Sequence, residues 1–142
     1  MFFNSAQEAL AAYPRGWPWE HFLPHEIACK GDGTLMVVPA FMERMSELRG
    51  RSGRAIIVKS WYRSPWYNDK VSTTGLDGPH TTGRAVDVLV FGGDALELFI
   101  LAHEVGFTGF GAKQKGPAGQ RFLHLDDVAA KPSGPRPWIW TY

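Results

Sequence analysis

Apolar positions along this chain recur with two different periods. The helical period is clearest after Pro39, where Phe41, Met42, Met45 and Leu48 make one apolar stripe that stops at Gly50. The stripe is read as core. Near the start, Ser5 or Asn4 caps a short helix, with Glu8 placed for a capping box and Pro14 and Gly16 closing it. Ser64-Pro65 opens another short helix, SPWYNDKV, and Asp94 caps the longest one, DALELFILAHEVG, ended by Gly106. The period of two appears between and after these. Ala55 to Val58 reads as a strand, and from Arg84 onward Ala85, Asp87 and Leu89 share one face while Val86, Val88 and Val90 share the other. GFTGFGAK, Arg121 to Asp126 and the aromatic tail PSGPRPWIWTY add three more strand candidates, the last at an edge. Helices early and short strands late predict an α+β fold, with a small antiparallel sheet flanked by helices.

Composition narrows this picture. At 142 residues and 44% hydrophobic, the chain fits one domain over 1–142, with residues 1–21 as a helical and aromatic extension packed on it. A net charge of +1 without long runs of one sign gives no support for nucleic-acid binding. Six Trp and nine Phe point to aromatic packing or to a groove for carbohydrate or peptide. The single cysteine, Cys29, excludes an internal disulfide and a cysteine-based metal site, and is read as a small buried residue. The N-terminal MFFNSAQEALAAYPRG has neither a basic leader nor an apolar core, and no run approaches the roughly 20 apolar residues that span a bilayer. No membrane insertion is expected, and synthesis without a signal peptide is. His21 and His25 have helical i,i+4 spacing, but Pro24 between them argues against a regular helix and a metal pair.

The chemistry concentrates in GPHTTGRAVDVLV, Gly78 to Val90. Asp87 falls among apolar strand neighbours, where a carboxylate is costly unless a positive charge or several donors compensate it. It is either salt-bridged or a metal ligand beside His80, with Gly83 making the turn between them. His124 and Asp126 stand two apart on a strand and share a face. If that strand pairs with the one bearing Asp87, two histidines and one carboxylate converge. This is a full protein ligand set for catalytic zinc, which lowers the pKa of bound water to about 7.

GPHTTGRAVDV resembles the SxHxxGxAxD signature of the zinc D-Ala-D-Ala carboxypeptidase family, which includes phage endolysins and vancomycin-resistance dipeptidases. SWYRSPWYN is similar to that family's S-x-YRS-x-x-x-N segment, FLHLD to its third-ligand strand, and RPWIW to its terminal R-P-x-x-W. The matches keep the family's order from about Phe22 to the end. The resemblance implies the small fold shared with the hedgehog signalling domain and one zinc ion held by His80, Asp87 and His124. It implies that Arg63, with Ser60, binds substrate, the arginine also polarising the scissile carbonyl. Asp126 would orient a ligand or carry protons.

Two positions depart from the pattern. Gly78 stands where the family often has Ser, and Arg121 where many members place an acidic general base three residues before the last histidine. Arginine cannot accept a proton there, so Asp126, Glu20 or Glu26 would have to serve. The resemblance implies a monomeric peptidoglycan peptidase acting on stem-peptide or cross-link amides, as a carboxypeptidase or an endopeptidase, and resembling an endolysin that reaches the wall on release. The absent base leaves an alternative: a non-catalytic zinc-containing wall-binding or virion module.

Overall fold

The computed structural model describes residues 1–142. Its order is β1 (Phe2–Phe3), α1 (Ala6–Ala11), α2 (Pro24–Ile27), β2 (Leu35–Met36), α3 (Pro39–Ser52), β3 (Ile57–Ser60), α4 (Pro65–Val71), β4 (Ala85–Leu89), α5 (Gly92–Val105), β5 (Gly109–Lys113), β6 (Phe122–Asp126) and β7 (Trp138–Thr141). Strands β1 and β2 form a small antiparallel pair; the other five make a sheet in the order β3-β4-β6-β5-β7. The α+β class is as expected. The sheet is mixed, however, because β7 runs parallel to β5.

Local chemistry explains most boundaries. Ser5 Oγ accepts from the Glu8 amide at the start of α1, and the Glu8 carboxylate reaches back to the Asn4 amide. Pro39 starts α3, which continues two residues beyond Gly50 and ends at Gly53, in the left-handed conformation with φ 67°. Helix α5 begins at Gly92 rather than at Asp94, and Gly106 closes it with φ 106°. The segment holding His21 and His25 is irregular except for the four-residue α2, as Pro24 predicted.

The two faces of the sheet have different jobs. On the back, Val86, Val88, Leu123, Leu125 and Phe110 join a core of 25 buried residues that also takes in Phe41, Met45, Leu98 and Ala102 from the covering helices. Phe99 of α5 meets Phe110 edge-on at 5.5 Å. Phe3, Ala9 and Trp19 from the N-terminal segment enter the same core. The front carries the polar positions. Pairing of β4 with β6 sets Asp87 opposite His124 and Ala85 opposite Asp126, and β5 adds Gly111 beside His124 and Gly109 beside Asp126.

Candidate metal centre

His80 arrives on a 3-10 turn, Pro79–Thr82, that ends at Gly83 with φ 74°. A Cβ on Gly83 would lie 2.8 Å from Met36 Cγ and 2.9 Å from its carbonyl oxygen, so only glycine closes this turn against β2. The amide of Arg63 donates to the His80 carbonyl, which ties the segment after β3 to the same turn. His80, Asp87, His124 and Asp126 are all buried, each no more than 4% exposed.

Three of them converge. His80 Nε2 lies 3.2 Å from His124 Nδ1 and 3.3 Å from Asp87 Oδ1, and His124 Nδ1 lies 3.1 Å from that same oxygen. The outward nitrogens set which lone pairs face inward. His80 Nδ1 is 2.6 Å from the Trp61 carbonyl, which only accepts, so this nitrogen carries the proton and Nε2 is left as a lone pair. His124 Nε2 is 2.8 Å from the Asp126 carboxylate, so it too carries a proton and Nδ1 faces inward. Two imidazole lone pairs and a carboxylate oxygen thus meet with no donor among them when both rings are neutral. A positive charge reconciles them, either a bound metal ion or a proton on one of the rings. A divalent ion with N and O ligands at about 2.0–2.2 Å in tetrahedral geometry separates its ligands by about 3.3–3.5 Å. The observed triangle has nearly that edge, so the donor set fits a metal ion.

Burial pushes the His80 imidazole down, more than Asp87 restores it. At His124 burial acts the same way but is outweighed by hydrogen bonds to Asp126 and Asp87, which raise it. Burial would lift Asp87, yet the imidazoles of His80 and His124 crowded against its carboxylate hold it far below the usual carboxylate range.

The supports around the triad explain two sequence features. Arg136 grips Asp126 through two parallel bonds, Nε to Oδ1 and Nη2 to Oδ2, both 2.8 Å. Asp126, holding His124 at the same time, has both oxygens engaged. A Cβ on Gly109 would sit 2.2 Å from Asp126 Oδ1, and one on Gly111 2.6 Å from Trp140 Nε1, so the glycines of β5 let these side chains lie flat across the sheet. Trp140 covers His124 at a ring distance of 4.9 Å. Gly78, where the family pattern often has Ser, leaves room for Thr74: a Cβ there would be 2.1 Å from Thr74 Oγ1, which accepts from Asn68 Nδ2.

Arg63 is bonded through each of its three nitrogens. It donates from Nη2 to Asp87 Oδ2 at 2.7 Å, from Nε to Ser60 Oγ at 3.0 Å and from Nη1 to Asn68 Oδ1 at 3.4 Å. The expectation that Arg121 stands beside the metal is not met. Its Nε donates to the Gly116 carbonyl, and its side chain lines a hollow with Leu96, Phe99 and Leu123 on the opposite side of the sheet. Glu26 accepts from the Leu23 amide at the start of α2, and Glu20 lies in solvent beside His21. Neither reaches the triad in this arrangement. Arg136 lies within the RPWIW motif, whose resemblance implies no role for it. The available signal was that a buried Asp126 demands a cation, and Arg136 is the only arginine after it. Beside Trp140 and Arg136 opens a cleft of about 630 Å3, bounded by Thr74–Thr82 and Val128–Trp138.

A buried, ligand-ready His-Asp-His cluster on one sheet face is the kind of centre that metal-dependent hydrolases use. The comparison with known families agrees. The family model described as Peptidase M15 matches residues 20–126, and the chain belongs to that family. It is therefore, by family, a metallopeptidase. No curated protein and no solved structure matches the chain.

Proposed function

We propose that this protein is a zinc-dependent peptidase of bacterial peptidoglycan, hydrolysing a stem-peptide or cross-link amide in the manner of an endolysin or D-Ala-D-Ala carboxypeptidase. The observation that carries the reading is the triangle of inward-facing His80 Nε2, His124 Nδ1 and Asp87 Oδ1, with sides of 3.1–3.3 Å, in an M15 chain. Two imidazoles and one carboxylate suit zinc, which when bound polarises a carbonyl and lowers the pKa of water. The chain's own residues do the rest. The Trp61 carbonyl and Asp126 keep the two rings in the tautomers that present lone pairs, and Arg136 keeps Asp126 ionised and in place. Arg63, braced by Ser60 and Asn68, holds Asp87 as a carboxylate and sets positive charge beside the developing oxyanion. Asp126 acts as a positioning residue, since both its oxygens are engaged. Action on the wall as a monomer belongs to the same proposal.

A second reading rests on one observation: both carboxylates at the centre are committed, Asp87 to the triad and Arg63, Asp126 to His124 and Arg136. With no free base, the protein would be a zinc-containing wall-binding or virion module. Incubation with intact peptidoglycan, with and without chelator, separates the two. The peptidase releases new amino groups only when metal is present. Stoichiometric zinc with no metal-dependent release would falsify the enzymatic reading and favour the binding module.

A further inference from the structure

The register of β3 contains an irregularity with a consequence for the centre. Val58 pairs with Val88, and Ser60 with Asp87, so Lys59 is the extra residue of a β-bulge. Strict alternation would put Lys59 and Ser60 on opposite faces. The bulge turns both to the front. Ser60 meets Arg63 there, and Lys59 sets its Nζ 3.9 Å from the centre of the Phe122 ring. Lys113, paired with Phe122 across β5 and β6, brings a second ammonium to 5.9 Å from the same ring. Phe122 is buried but lies outside the hydrophobic core, since it is on the front with His124 two residues away.

Neither lysine has a carboxylate partner within salt-bridge distance, whereas Arg63, Arg84 and Arg136 all do. Burial, together with the charges of Lys113, Arg63 and Lys30, makes Lys59 easier to deprotonate; Asp87 alone pulls the other way, and it is a ligand of the triad. The guanidinium of Arg63, the group expected to bind substrate, already donates to Ser60, Asn68 and Asp87, which leaves it two N–H donors. Lys59 and Lys113 are the cations on this face that no carboxylate neutralises.

We infer that Lys59 and Lys113 form a shelf that binds a substrate carboxylate carried within one residue of the scissile amide. Two residues along a strand span about 6.6 Å. A peptide amide at the triad would thus place the carboxylate of the adjoining residue, about 3.5 Å further along an extended chain, within a lysine's reach. Phe122 gives the shelf an apolar floor, with the two ammoniums 3.9 and 5.9 Å from the ring centre. The peptide identity of the ligand rests on the peptidase reading; the anion preference rests on the lysines alone.

The test uses zinc-loaded full-length protein and two probes, N-acetyl-D-alanyl-D-alanine and its C-terminal carboxamide, with binding followed by NMR and hydrolysis measured separately. Wild type should bind the acid about 10- to 100-fold tighter than the amide, the range a charge-assisted bond supplies. Lys59→Met with Lys113→Met should remove that preference while zinc content and amide binding stay unchanged. Lys70→Met, which takes away a lysine seated 3.9 Å over the Trp66 ring on α4, should leave the preference intact. Equal binding of acid and amide by wild type, or binding of neither, overturns the shelf. So does a preference retained in the double variant, which would put the carboxylate on the metal. An intact, lysine-dependent preference without hydrolysis keeps the shelf and removes the peptidase.

Discussion

The back and front of the five-stranded sheet are built from the same strands and obey opposite rules. In β6, Leu123 and Leu125 face the helices, while Phe122, His124 and Asp126 face the front, and all five are buried. On the back, stability comes from area and close packing, where one apolar side chain substitutes for another at modest cost. On the front, burial is tolerable only because partners are in place, and no buried side-chain nitrogen or oxygen lacks a hydrogen bond. Burial by itself therefore says little about a residue's work; what it is paired with says more.

The sharpest way to break the comparison is to remove one ligand. His124→Ala or His80→Ala should take metal content from about one equivalent to a small fraction, measured by elemental analysis, because two ligands seldom hold such an ion. Retention of a full equivalent in both would refute the centre. Leu125→Ala, one residue away on the other face, should do the reverse: lose about 2–5 kcal/mol of stability in urea unfolding, with stoichiometric metal in the folded protein.

Gly109→Ala tests whether the front is as tightly fitted as the back. The added methyl group meets the Asp126 carboxylate, so stability should fall by about 1–3 kcal/mol. Metal affinity should fall with it. Unchanged affinity would mean that Asp126 does not need its present seat to position His124.

Asp126→Asn is smaller in size and more specific. The amide can still accept from His124 but turns an NH2 toward Arg136, so metal affinity should drop about 10- to 100-fold with the fold intact. Full affinity would leave Asp126 with no role at the metal.

The mildest contrast is in pH. Burial raises Asp126, but hydrogen bonds from His124 and Arg136 outweigh it and hold the carboxyl below its usual range. A folded-state value below the unfolded one stabilises the fold at pH above about 3.9 and is lost as pH falls through the folded value. Metal-free protein should lose stability there, and Arg136→Met should shrink that loss. The back face contributes no such dependence, and Leu125→Ala should leave the acid limb unchanged in shape.

Much of this was legible in the chain. Ser5 with Glu8, Pro39 and Gly106 mark helix ends through local backbone chemistry, and local chemistry is what a sequence displays directly; the end of α3 fell at Gly53 rather than at the expected Gly50. The alternation of Val86 and Val88 with Asp87 announced a strand with two unlike faces. The HTTG turn and the residue types pointed to a group that could hold a metal, and the order of motifs announced the family. Other features were illegible because they depend on register and on segments far apart. Nothing local says that Lys59 is the extra residue of a bulge, that Arg121 points away from the metal, or that β7 runs parallel to β5.

The sequence by itself determined which segments are helices and the two-faced strands, because backbone preference and hydrophobic period are properties of neighbours, and its motifs singled out His80, Asp87 and His124. Tertiary structure alone decided which nitrogen of each histidine faces inward, that Arg136 clamps Asp126, and that Arg63 pairs with Asp87. Those outcomes follow from the cost of burying charge, which is met only by partners that folding brings from elsewhere in the chain.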